Sequence, residues 1–124
     1  MARTAVLGFP RIGADRELKA ALEDYWAGRS STAALEATAR EIRAANLWAG
    51  TEAGIDVLPV GDFSLYDHVL DVAGMVTLIA ERHGGAEASG LSAHFLACRG
   101  GDGVTPLEMT KWFDTNYHLS LIHI

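Results

Sequence analysis

Thr4-Ala5-Val6-Leu7-Gly8-Phe9-Pro10-Arg11-Ile12-Gly13, followed at once by Arg16-Glu17-Leu18-Lys19, is the stretch that decides the fold class. Residues 4–7 form a short apolar run ending in glycine, the pattern of a buried strand. Gly8 to Gly13 then reads as a tight turn. Asp15 is placed to cap a helix from Arg16 to about Ala27. Leu18, Leu22 and Tyr25 or Trp26 recur at helical spacing and give that helix an apolar face. Gly28 terminates it.

Working outward, Ser31 or Thr32 is placed to cap a second helix, with Leu35, Ala39, Ile42 and Ala45 on its buried face and Gly50 as its stop. Residues 55–60 read as a second strand, with Pro59 near its end. A polar-aromatic loop, 61–67, leads into a third helix from about Asp67 to Arg82, ended by Gly84-Gly85. Residues 91–98 are apolar but of undecided type, residues 99–103 form a loop, and 108–118 is ambiguous, with Trp112 and Phe113 expected to be partly buried. Apolar strands alternating with helices indicate an α/β protein with parallel strands. A closed (β/α)8 barrel takes about 250 residues, so these 124 residues supply only the first part of one.

Composition sets the outer bounds. An apolar share of 49% supports a core, and 21% charged residues fits a soluble globular domain. The net charge of −6 speaks against a general nucleic-acid or membrane-surface role. Cys98 is the single cysteine, so an intrachain disulfide and a cysteine-based zinc site are both excluded for this chain. The N-terminal apolar run is too short for a signal peptide, and no stretch reaches the roughly 18 residues of a membrane span. The chain reads as cytoplasmic.

Against the acidic background, cations gather in two places. Arg11, Arg16 and Lys19 surround the start of the first helix, and Lys111 lies beside Trp112 and Phe113 in the stretch 108–118; Lys19 and Lys111 are the only lysines. Arg16 and Lys19, three apart, share one face of the first helical turn. Cations are unfavourable at a helix N-terminus unless an anion neutralises them. The pairing suggests a carboxylate or phosphate ligand with a flat ring. The bland alternative is a solvated face with Asp15 and Glu17 as local partners. The turn 8–13 is neither a P-loop nor a dinucleotide fingerprint. Asp62, Asp67 and His68 could bind a metal or act as acid and base, but turn chemistry is the favoured reading, with Asp62 as a loop hydrogen-bonder, Asp67 as helix cap and His68 as a satisfied polar residue. Cys98 with His94 one turn earlier is a weak nucleophile pair, and a buried structural thiol is the simpler reading.

Taken together, these stretches resemble the N-terminal domain of the cobalamin-independent methionine synthase family. Gly8 to Gly13 is similar to the family's opening motif, and Arg16-Glu17-Leu18-Lys19 with Tyr25-Trp26 to its first helix. Ala53-Gly54-Ile55-Asp56, Pro59-Val60-Gly61-Asp62-Phe63 and Tyr66-Asp67-His68-Val69-Leu70 are similar to a second block, and Glu108 to His118 to a third. The resemblance implies an α/β fold that is the incomplete first part of an N-terminal (β/α)8 barrel. It implies a zinc methyltransferase that moves a methyl group from 5-methyltetrahydropteroyltri-L-glutamate to L-homocysteine without cobalamin. Arg16, Glu17, Leu18, Lys19 and Lys111 would contribute to the folate-polyglutamate site. Zinc would be bound in a C-terminal domain outside this chain, so no residue here is assigned as a metal ligand or as catalytic, and the chain alone is expected to be inactive. The implied partners are small molecules, with no nucleic acid and no membrane. The alternative is a stand-alone, non-catalytic folate- or anion-binding module.

The pattern of the family stops after His118. Residues 119–124 read Leu-Ser-Leu-Ile-His-Ile, and one reverse translation is CTGTCTCTTATACACATC, which resembles the end sequence of a transposase-based sequencing library. The expectation is a partial folate-side domain over 1–118 and a non-native tail over 119–124. A barrel cut this early would leave apolar faces uncovered.

Overall fold

In a computed structural model of the chain, the structure describes residues 2–85, 90–101, 103–111 and 118–120; for 109–111 and 118–120 it describes the backbone alone. The chain divides into two compact units, Met1–Leu65 and Tyr66–Ile124.

The first unit is built on two packed helices. α1, Glu17–Trp26, buries Leu18 and Leu22; α2, Thr32–Glu52, buries Leu35, Ala39 and Ile42. These are the positions that the 3.6-residue period puts on one stripe. The Ser31 hydroxyl accepts from the Ala34 N–H at 3.2 Å and caps α2. Both helices end the same way. Gly28 and Gly54 take positive φ (71° and 69°), and the following N–H groups of Arg29 and Ile55 turn back to the carbonyls of Asp24 and Gly50. These are Schellman closures, which satisfy the last free carbonyls.

Two expectations for this unit need correction. Asp15 does not cap α1. Arg16 occupies the capping position with φ 65°, without a side-chain cap bond, while the Glu17 carboxylate folds back to accept the Asp15 N–H at 3.0 Å. Gly50 does not stop α2 either. It is a buried residue within the helix, where a Cβ would run into Leu58 and lie 2.9 Å from Phe9 Cζ. The missing side chain serves close approach, and the stop is Gly54.

The strands expected at 4–7 and 55–60 shrink to one parallel bridge, Ala5 to Val57. The Val57 N–H donates to the Thr4 carbonyl at 3.0 Å. Asp56 strengthens the join. Its Oδ2 accepts from the Thr4 N–H at 2.7 Å and from the Thr4 hydroxyl at 3.0 Å, and the same hydroxyl accepts from the Asp56 N–H. Parallel strands gain stability from neighbours on both sides and cover on both faces. Among the described residues this pair has neither, and Leu7 (101% exposed) and Val60 (84%) face solvent instead of a core.

In the second unit, α3 spans His68–Met75, a 3-10 turn follows at Glu81–His83, and α4 spans Gly90–Arg99. β1, Met109–Lys111, pairs antiparallel with β2, His118–Ser120, in the register Met109 to Ser120 and Lys111 to His118. Leu70, Ala97, Cys98 and Leu107 form the core, with Tyr66 packed on it. α3 is half the length expected. Thr77 adopts φ 56°, and the Leu78 N–H returns to the Ala73 carbonyl at 2.8 Å. This is the closure seen after α1 and α2, made here by a threonine in a conformation that suits glycine. The undecided run 91–98 is helical. The described residues are helix-rich with little strand, so the parallel sheet expected from the apolar runs is present only as the Ala5–Val57 bridge.

Candidate functional site

The turn 8–13 closes on the loop 61–65 through side-chain-to-backbone bonds. Asp62 Oδ2 accepts the Phe9 N–H at 2.9 Å. Gly8 permits this, because a Cβ there would stand 3.0 Å from Asp62 Cβ. Arg11 Nη1 donates to the Leu65 carbonyl at 2.9 Å and to the Ser64 carbonyl at 3.5 Å. Asn46 of α2 donates from Nδ2 to the Pro10 carbonyl at 3.3 Å. Beside this join lies a cleft of about 40 Å³ lined by Phe9, Arg43, Asn46, Leu47, Pro59, Val60, Asp62 and Phe63, with the Arg43 guanidinium 5.9 Å from the Phe63 ring centroid. That volume suits a water molecule rather than a pterin.

Arg16, Glu17, Leu18 and Lys19 stand together at the start of α1 but do different things. Leu18 is fully buried in the core, and its N–H reaches the Ile12 carbonyl at 3.1 Å, so it fixes the turn to the helix. Glu17 holds the turn through Asp15 N–H, and Gly13 (φ 86°) leaves the space its carboxylate fills. Lys19 is exposed and pairs with Glu23 at 3.2 Å, an i,i+4 contact worth little in water. The exposed Arg16 guanidinium has no hydrogen bond or ion pair among the described residues. Lys111 is a β1 residue of the second unit, and its side chain, like Trp112 and Phe113, lies outside the described residues.

Sequence reasoning had Asp62 as a loop hydrogen-bonder without its partner Phe9, and it missed Asn46. It also counted Arg11 with the free cations, whereas its charge is spent on two backbone carbonyls. The glycine at 8, with no turn-type reason to be there, was the available signal of a close approach.

The other candidates resolve into structure. Asp62 is used by Phe9, Asp67 Oδ1 accepts the Leu70 N–H at 3.0 Å as the α3 cap, and His68 is an exposed first-turn residue. Among the described residues no group of three or more His, Cys, Asp or Glu could hold a metal ion. His94 Nδ1 lies 3.5 Å from Asp71 Oδ1, but Cys98 is no nucleophile. Burial, with the negative charges of Asp67 and Asp71, pushes its thiol up to about 12, far from the thiolate form. No helix among the described residues is long and apolar enough to cross a membrane.

Over residues 3–121 the chain matches the family described as cobalamin-independent synthase, N-terminal domain. It is 55% identical over 118 residues to a protein of Streptomyces coelicolor, 54% over 113 residues to one of Rhodococcus jostii, and 54% over 120 residues to one of Nitratidesulfovibrio vulgaris. These alignments cover 94%, 91% and 94% of the chain, and each relative is named a 5-methyltetrahydropteroyltriglutamate–homocysteine methyltransferase. The chain spans about 15% of the length of these relatives.

Proposed function

The chain belongs to the cobalamin-independent synthase family, through its N-terminal domain, and from that premise we propose that it forms the opening of the folate-side domain of a methionine-forming methyltransferase. The reaction transfers the methyl group of 5-methyltetrahydropteroyltri-L-glutamate to L-homocysteine. A carbon–sulfur bond forms at the homocysteine sulfur, the N5–methyl bond breaks, and N5 of the folate takes up a proton.

What this segment contributes is binding. A triglutamate tail is a row of carboxylates, and guanidinium and ammonium groups are their natural partners. The observation that carries the reading is the contiguous Arg16–Lys19 motif within the family match. The exposed Arg16 guanidinium supports it, without a partner among the described residues and at the helix start on a turn that Glu17 and Leu18 hold in place. Lys19 would exchange its weak contact with Glu23 for a ligand carboxylate, and Lys111 would complete the set.

The test uses the full-length protein that carries this segment. Lys19→Ala and Lys111→Ala should each raise the Kd for the triglutamate about tenfold, the loss of one charge-assisted hydrogen bond. Homocysteine binding should stay unchanged. Unaltered folate affinity in both variants would remove the assignment.

A further inference from the structure

We infer that His83 is a positioning residue for Lys111: its imidazole anchors the strap of chain, described over 100–101 and 103–108, that delivers β1. This rests on the placement of Lys111 in the folate site proposed above. His83 is 2% exposed, and its Nε2 lies 2.9 Å from the Thr105 carbonyl oxygen. A carbonyl only accepts, so Nε2 carries the proton and the ring is the donor. Nδ1 is buried with no partner among the described residues. Among the described residues the ring makes one hydrogen bond, the one to the strap.

Backbone bonds also tie the strap to α4 and to itself. The Leu107 N–H donates to the Ala97 carbonyl at 2.8 Å, and Leu107 sits in the core with Ala97 and Cys98. Gly101 and Val104 exchange two hydrogen bonds, of 3.0 and 2.7 Å. Gly100, at φ 69°, admits the Val104 carbonyl and Pro106, each 2.6 Å from where a Cβ would be. His83 adds a hold from a second element, the 3-10 turn ahead of α4, at Thr105. Four residues later β1 begins, and Lys111 is its last residue. The backbone bonds fix the strap against one helix. The imidazole fixes it against another part of the unit, and so limits how far β1 can shift.

The test is made on the full-length protein with three substitutions. His83→Phe keeps the ring's bulk and removes the donor, and His83→Gln puts an amide N–H where Nε2 was. Lys111→Met removes the charge that His83 is held to position. His83→Phe should raise the triglutamate Kd about fivefold, the loss of one neutral hydrogen bond. His83→Gln should restore affinity to within about twofold, with homocysteine KM constant throughout. On the Lys111→Met background His83→Phe should have no further effect, since residues acting as one unit are not additive. An equal loss in Phe and Gln, no loss in either, or an undiminished loss on the Lys111→Met background would overturn the inference. If Lys111→Met itself leaves folate affinity unchanged, the site assignment fails first and takes the inference with it. Should His83→Phe not fold, histidine-selective 15N spectra of the unaltered protein decide. A slowly exchanging Nε2–H at His83 supports the anchor, and an Nδ1–H tautomer overturns it.

Discussion

The two units are fastened by different sets of bonds. Met1–Leu65 is closed at its edges by carboxylates that grip backbone N–H groups, Asp56 on Thr4 and Asp62 on Phe9. In Tyr66–Ile124 the side-chain grips are mixed, Asp67 on the Leu70 N–H and the His83 imidazole on the Thr105 carbonyl, and the core holds a thiol. The first unit depends on carboxylates at its edge, and the second keeps a buried thiol in its core. The difference teaches that the two should fail at opposite ends of the pH scale.

The strongest way to break this comparison is to remove core volume. Leu18 (0% exposed) and Leu107 (4%) are the buried leucines on which each unit's turn or strap depends. Leu18→Ala and Leu107→Ala should each cost about 3 kcal/mol, read as a lowered urea midpoint at unchanged slope. A loss below about 1 kcal/mol at either position would mean that its cavity collapses freely, and that the unit lacks a packed core.

A smaller effect, of the other sign, sharpens the comparison of helix ends. Thr77 makes in the second unit the closure that Gly28 and Gly54 make in the first. A β-branched residue at positive φ costs roughly 1–2 kcal/mol relative to glycine there. Thr77→Gly should therefore raise stability by about 1 kcal/mol, and amide exchange through α3 should slow. A destabilised Thr77→Gly would show that α3 does not end at Met75.

The pH dependence gives the smallest effects and the most direct contrast. Bonds from the Thr4 N–H and hydroxyl hold Asp56 below the usual carboxylate range. A depressed folded value gives stability that is present above the ordinary Asp range and lost as pH falls through the folded value. Cys98 lies the other way, pushed up to about 12. Its contribution is complete below the ordinary thiol value and is lost as pH rises past about 9. Residue-resolved hydrogen exchange should show the Thr4–Val57 join loosening in acid and α4 loosening in alkali. Asp56→Asn should flatten the first slope and Cys98→Ala the second. Slopes that persist in these variants would assign the dependence to other groups.

How much of this was legible in the sequence depends on reach along the chain. α1 and α2 could be read because their signals are local: leucines one turn apart, Ser31 as cap, Gly28 as stop. Gly50 was misread because a helix-ending glycine and a close-approach glycine look alike until Phe9 and Leu58 are seen packed on it. The end of α3 was missed because a threonine occupies the place where glycine is the usual sign. The strands at 4–7 and 55–60 were over-read, since apolar runs announce what wants cover but not what supplies it. At the site, the Arg16–Lys19 motif was visible as spacing. The bonds from Asp62 and Arg11, made across more than fifty residues, have no local signature. The two lysine-bearing stretches suggested one anion site, and the family resemblance gave Lys111 its expected part in it.

The Thr4–Asp56 clasp has a consequence for the order of events in folding. It spans 52 positions of sequence, whereas α1 and α2 pack as sequence neighbours across a short turn. Contacts between neighbours in sequence form quickly, and contacts across long loops wait for loop closure. The clasp is thus among the last native bonds made and the first undone. Loosening it by Thr4→Val should speed unfolding and leave the folding rate nearly constant. The N-terminal segment then acts as the latch of its unit, closing over a helical pair that has already assembled.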